Sequence, residues 1–358
     1  MYQPGLKGII AAETELSYIN GEKGELLYRG IPVHDFVHNY SCEETAFYLL
    51  NGRTAHASEL ANLRSKLIAY RNIPSYVEEI IDVLPRDLSM MDVLRTAISS
   101  LEMSRNMKNY EIALNLIAVF PTIIAYRYRS INNLPRIQPA SDNLNHVENF
   151  MYMLTGEVSK TKAQILEKYL ILTMEHGLNA STFAARVTIS TESDLVAAIT
   201  SALGTMKGPL HGGAPTGVIN LLEEISSNDR IHEVITTKLA NKQRIMGFGH
   251  RVYKTVDPRA EALKETILKL DDVPKWIELA METEQETIKI LQQHKPNQQL
   301  YTNVEYYAAA IMKTLELDPE LFTAIFSSSR IVGWCAHAIE QLDNNILYRP
   351  DVKYIGKK

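Results

Sequence analysis

Two histidines stand in unusual company in the middle of this chain. The first lies in Lys207-Gly208-Pro209-Leu210-His211-Gly212-Gly213-Ala214-Pro215. The second lies in Met246-Gly247-Phe248-Gly249-His250-Arg251-Val252-Tyr253-Lys254, closed by Asp257-Pro258-Arg259. Glycines beside both allow tight turns and the close approach of a ligand. Pro215 sits where a following helix best tolerates proline, so His211 is expected just before a helix N-terminus, where the dipole disfavours an imidazolium. A neutral imidazole that donates one hydrogen bond polarises a carbonyl oxygen. Arg251, Lys254 and Arg259 wrap His250 in positive charge, which suits an anionic ligand. The plainer alternative is a pair of Gly-Pro loops whose histidines cap or fill space. Two such loops in one chain favour chemistry, but they name no reaction.

Carboxylate recognition is the stronger lead. Arg259 follows Asp-Pro, Arg330 sits in the apolar run Ser329-Arg330-Ile331-Val332-Gly333-Trp334, and Arg349 precedes Pro350. An arginine on an apolar face is costly unless its charge is paired, and a dicarboxylate or an internal carboxylate would each pair it. Glu305 follows the cap-forming Asn303, where a carboxylate is either a dipole partner or a base. Together these groups suit proton abstraction beside a carbonyl followed by carbon–carbon bond formation.

Other chemistries find little support. The net charge of -5 leaves no basic footprint for nucleic acid. There is no phosphate-loop or dinucleotide signature, and no serine elbow. His34 and His38 are four apart and could share a helical face, but no third ligand is near them in sequence, so they read as surface residues and no metal is expected. Cys42 and Cys335 are too few for a disulfide framework and fit a reducing cytoplasm. The most apolar run, residues 112 to 126, is interrupted by Pro121 and reads as two buried helical segments rather than a membrane span.

The elements that must position these groups are nearly all helical. Residues 9 to 19 and 25 to 28 flank Asn20-Gly21-Glu22-Lys23-Gly24, a hairpin signal. Helices are expected over 42 to 50 behind a Ser41/Glu44 capping box, from Ser58 toward Pro74, and after Ser89 with Asp92. Residues 132 to 145 read as an ordered loop. Further helices are expected over 146 to 155, 161 to 175, 180 to 188 behind Asn179, and after Thr191 with Asp194. The last are 216 to 225, 259 to 270, 273 to 294, 304 to 315, and from Asp318-Pro319 to about 341. More than a dozen helices against one hairpin, without alternating strand–helix units, give an all-α fold. At 358 residues the chain is long enough for two domains.

Read together, the motifs resemble the citrate synthase family. The resemblance is carried by the two histidine loops, by Asn303-Val304-Glu305-Tyr306-Tyr307, by Glu175-His176-Gly177-Leu178-Asn179-Ala180-Ser181-Thr182-Phe183, by the Arg330 run, and by Gly24-Glu25-Leu26-Leu27-Tyr28-Arg29-Gly30. It spans nearly the whole chain and is closest to the shorter bacterial and archaeal type. It implies an all-α homodimer with a large domain (1–212 and 317–358) interrupted by a small domain (213–316) that closes over the substrates. It also implies an acyltransferase that condenses oxaloacetate with acetyl-CoA and hydrolyses citryl-CoA, with no metal and no permanently bound cofactor.

By the same resemblance, His211 polarises the thioester carbonyl and His250 the ketone. His176, Arg259 and Arg330 bind the oxaloacetate carboxylates, and Arg349 arrives from the other subunit. Lys254 and Arg251 meet CoA phosphates. Glu305 stands where the family usually carries an aspartate base. The extra methylene displaces the carboxylate by roughly 1 Å, a misplacement that can cost about a hundredfold. Propionyl-CoA as the acyl donor, giving 2-methylcitrate, stays open because one methylene discriminates by only about 1–3 kcal/mol. So does a non-catalytic sensor of CoA or dicarboxylate.

Overall fold

The computed structural model describes residues 2–104, 106–140, 144–212, 214–269, 274–296, 298 and 300–357, with side chains left aside at 214–216 and 275. The hairpin forms, but shorter than expected. Strand β1 (Ser17–Asn20) pairs antiparallel with β2 (Glu25–Tyr28), and a two-residue β3 (Ile31–Pro32) adds a third edge. Residues 9 to 16 are irregular, because the alternation there has no partner strand to satisfy its backbone. The described residues hold sixteen α-helices, so the all-α reading stands.

The core is organised around α16 (Phe322–Asp343), which packs against α6 (Asn109–Ile131), α8 (Lys160–Thr173), α9 (Ala180–Ile189) and α10 (Leu195–Met206). Residues 324–338 of α16 are buried almost without a break, as expected for a helix apolar on every side. Its serines are satisfied internally: Ser327 and Ser328 bond backbone carbonyls of the same helix, and Ser329 donates to the Leu170 carbonyl. The small residues of α10 bring it close against α9.

One expectation fails at α6. Pro121 removes one ladder hydrogen bond, yet α6 runs unbroken through it for 23 residues. Every residue from Leu116 to Arg127 is buried, so a broken end would have no water to hydrate its backbone. The helix is long and apolar enough to cross a membrane, but 72% of its apolar window is buried inside the protein, which makes it a core helix.

Most caps fall where the sequence places them: Ser41 with Glu44, Ser89, Asn179, Asn303 and Asp318. Two do not. Helix α3 (Ala57–Tyr70) begins behind His56, whose N–H donates to Glu59 at 2.9 Å, rather than at Ser58. Helix α10 is capped by Asp194, not Thr191, because the Asp194 carboxylate accepts the Ala197 N–H at 2.7 Å. The loop after α6 is pinned by Arg71, which donates to the Ala140 and Leu144 carbonyls; residues 141–143 lie outside the described set. Three helices went unexpected: α1 (Val33–Asn39), α4 (Ser75–Val83) and α12 (Ile231–Ala240).

A second apolar cluster, Leu221, Ile225, Ile231, Val234, Ile235, Ile245, Ile290 and Leu291, lies wholly within the 213–316 stretch. Helices α13 (Pro258–Leu268) and α15 (Val304–Thr314), from the same stretch, instead pack into the main core, as does one face of α11 (Ala214–Ile225). The expected boundary residue Gly213 and the first residue expected of α14 (Lys275–His294), Val273, lie outside the described residues.

Candidate active site

The His250 loop is held by backbone geometry. Gly247 and Gly249 adopt φ of 84° and 81°, a region that favours glycine. A Cβ at Gly247 would also lie 2.8 Å from the Tyr306 ring. The loop is laced to the start of α15. The Gly249 N–H donates to Tyr301, the Asn303 N–H to Gly247, and the Asn303 side chain to the Gly249 carbonyl, all at 2.7–2.9 Å. On its other side the loop rests on the hairpin, where the Lys254 N–H donates to the Gly21 carbonyl at 2.8 Å. A Cβ at Gly21 would overlap the Val252 carbonyl oxygen.

Within this frame the His250 tautomer is fixed. Nδ1 accepts from the Val252 and Tyr253 N–H groups at 3.0 and 3.1 Å, so the ring proton sits on Nε2. Nε2 in turn lies 3.4 Å from the Arg259 Nη2. Two donors face each other there, a place that only an acceptor oxygen satisfies. Burial, then the charge of Arg259, lowers the His250 pKa to about 4.

His211 lies just before α11, as expected, and its ring is held from another element. Its Nε2 accepts from the Ser181 N–H at 3.2 Å and lies 2.8 Å from the Ser181 hydroxyl, which in turn receives the Trp334 indole N–H at 3.0 Å. The ring therefore docks on the first turn of α9. With Nε2 accepting, Nδ1 carries the proton. Burial, followed by the charge of Arg330, lowers the pKa to about 4. The loop itself is anchored at Lys207, which pairs with Asp92, and at Gly212, whose carbonyl accepts from Thr323 at 2.9 Å.

The arginines divide. Arg259 is buried and bidentate on Asp257, its Nε and Nη2 at 3.0 and 2.8 Å, so the internal-pair alternative applies to it in part. Asp257 caps α13 through the Arg259 N–H and also accepts the Val304 N–H at 3.1 Å. Burial alone would raise that carboxyl, but the Arg259 charge and hydrogen bonds hold it below its usual range. Arg330 is 2% exposed, donates Nε to the Thr173 carbonyl at 2.7 Å and stacks over Phe326. Among the described residues it has no ion-pair partner.

His176 is buried, 3.1 Å from the Tyr253 hydroxyl, with its ring 5.6 Å from that of His250. Burial, Arg259 and Arg330 push its pKa well down. Glu305 is half-buried, and burial raises its carboxyl to about 7 although Arg259 and Arg330 pull it down. Shared electrostatics thus gather His176, His211, His250, Arg259, Arg330 and Glu305 into one site. Lys254 and Arg251 are exposed on the same loop as His250. Arg349 stands apart, exposed on the C-terminal tail, which Asn345 and Tyr348 tie to Ser190.

Sequence reasoning gave no role to Ser181, Tyr253 and Asp257, each of which orients a predicted group. The one sequence signal for them was adjacency: Ser181 follows the Asn179 cap, and Asp257 precedes proline. A recess of about 990 Å³ lined by Tyr76, Leu101, Met107 and Asp194, among others, contains none of the site residues, so side-chain chemistry rather than cavity size locates the site.

A family model described as "Citrate synthase, C-terminal domain" matches residues 5–351. The chain belongs to the citrate synthase family. It is 39% identical to the citrate/2-methylcitrate synthase of Bacillus subtilis, over 100% of this chain and 97% of that one. The crystal structure of citrate synthase from Thermotoga maritima superposes with a TM-score of 0.91 at 41% identity, covering 100% of this chain and 96% of that one. The citrate synthase of Thermoplasma acidophilum, solved as a ternary complex with carboxymethyl coenzyme A and oxaloacetate, superposes with a TM-score of 0.91 at 31% identity, covering 100% and 97%. The helical fold and N-terminal sheet are therefore those of citrate synthases.

Proposed function

We propose that the protein condenses oxaloacetate with acetyl-CoA and hydrolyses the resulting citryl thioester to citrate and CoA. The reading rests on one observation above others. Main-chain donors fix both site histidines as neutral rings, leaving His211 Nδ1–H and His250 Nε2–H without an acceptor among the described residues. Glu305 takes a proton from the acetyl methyl, and His211 hydrogen-bonds the enolate oxygen that forms. The enolate carbon attacks the oxaloacetate ketone, whose oxygen lies between His250 Nε2–H and Arg259. Water then cleaves the citryl thioester and releases the CoA thiol.

The carboxylates of oxaloacetate give Arg330 the direct ion-pair partner it lacks among the described residues, with Arg259 and His176 beside it. Lys254 and Arg251, exposed at the rim, meet the CoA phosphates. Arg349, exposed and outside its own protomer's cluster, completes the site of a second copy in a homodimer. The second apolar cluster supports residues 213–316 as the unit that closes over the substrates. No metal or permanently bound cofactor takes part in these steps. Both cysteines are buried thiols whose pKa burial raises, as suits a reducing cytoplasm.

Propionyl-CoA is the second donor to consider, because the Bacillus subtilis relative carries both names. The test is thiol release from each acyl-CoA with and without oxaloacetate. Oxaloacetate-dependent release is expected, and the ratio of the two kcat/KM values names the substrate. No release from either donor by folded protein that still binds oxaloacetate would refute the synthase and leave a binding protein.

A further inference from the structure

The pair His34 and His38 gains from the fold what its sequence neighbourhood lacks. Both lie on the exposed side of α1, while Val33, Phe36 and Val37 of the same helix enter the core. Helix α13 packs alongside and presents Glu265 to them. The two imidazole Nε2 atoms are 3.1 Å apart, and the Glu265 Oε2 lies 3.5 Å from His34 Nε2 and 3.7 Å from His38 Nε2. Two of these edges are too long for hydrogen bonds. As the edges of a coordination polyhedron they fit: the point equidistant from the three atoms is about 2.0 Å from each, against about 2.0–2.2 Å for zinc bonds to imidazole nitrogen and carboxylate oxygen.

We propose that His34, His38 and Glu265 bind one divalent transition-metal ion of the zinc type, with water in the remaining position, and that this ion ties α1 to α13. The ligand chemistry supports such an ion over magnesium or calcium, because two imidazoles and one carboxylate suit zinc, cobalt, nickel or copper. The three side chains are 52%, 29% and 45% exposed, which leaves room for an entering ion and its water. Lys168 and Lys269 are the other charges acting on His38. With burial and His34 they lower its pKa and keep the ring neutral, while their charge weakens cation binding. The same α13 begins at Asp257 and Arg259, so an occupied site would hold the arginine-bearing helix against the main core.

The test uses untagged, chelator-stripped protein titrated calorimetrically with zinc chloride, and separately with cobalt(II) while the visible spectrum is recorded. A single zinc per chain is expected, with the intense bands of four-coordinate cobalt and no uptake of magnesium. His38→Asn and Glu265→Gln should each abolish saturable binding, and both replace exposed side chains, so folding is retained. His232→Asn removes a histidine paired with Glu286 at 3.7 Å but with no second imidazole, and should leave binding unchanged. Lys269→Ala should tighten it. Zinc should raise the thermal midpoint of the parent protein and of neither ligand variant. Absence of saturable zinc binding by the stripped parent, or binding retained in His38→Asn and Glu265→Gln, would overturn the proposal.

Discussion

Replacing Glu305 by glutamine separates the carboxylate's contribution to catalysis from its cost to the fold. Burial raises this carboxyl from 4.5 to about 7, so at pH 8 the folded protein holds a charge the unfolded chain carries more easily. A shift of that size corresponds to at most about 3 kcal/mol, less whatever the half-buried side chain regains from solvent. The sign follows from linkage. A carboxyl whose folded pKa is raised favours the folded state most below pH 4.5, and this advantage is lost as pH rises through 7. Glu305→Gln should therefore be more stable than the parent at pH 8, by up to about 3 kcal/mol, and nearly equal to it at pH 4.5. Urea unfolding followed by circular dichroism at both pH values measures the difference. The kinetics should run the other way: kcat/KM of the parent should fall about tenfold per pH unit below 7, and Glu305→Gln should lose turnover at every pH. His211 and His250, with pKa values near 4, stay neutral over this range and add no inflection. A stability difference that is the same at both pH values, or full turnover by Glu305→Gln, would refute the assignment.

Arg330→Met should raise the KM for oxaloacetate by about a hundredfold, readable in initial-rate assays, and should also lower stability, because it removes a charge that acts favourably on the buried Glu175 carboxylate and the Nε donor to the Thr173 carbonyl. Gly21→Ala should lower kcat without removing any site residue, by pressing a Cβ against the Val252 carbonyl and shifting the His250 loop; unchanged kinetics would mean that the hairpin is no support. Mixing inactive Arg349→Ala with inactive Glu305→Gln, then unfolding and refolding together, should restore activity. Hybrid dimers would carry one site with both residues intact, whereas a site completed within one chain would stay dead in every mixture.

Local signals carried most of the helix positions. Caps such as Ser41, Asn179 and Asn303 sit next to the backbone they satisfy, so their chemistry is written within a few residues. Pro121 misled because its cost is local while the burial that overrides it comes from α16 and its neighbours. The site was legible as residue types in the histidine loops and the Arg330 run. Its wiring was not: Ser181 meets His211 across thirty residues, and Glu265 meets His34 only because α13 packs on α1. Such pairings are set by tertiary packing, which spacing along the chain does not encode.

Asp257 serves as a common datum for the site. One carboxylate takes donors from the start of α13, from the Arg259 guanidinium and from the first N–H of α15, one residue before Glu305. A machinist who references two holes to one edge limits the error between them, however the whole part is clamped. In the same way, the spacing of Arg259 from Glu305 accumulates the slack of only a few bonds. Motion of the surrounding helices would carry both together, so their alignment need not be found anew in each catalytic cycle.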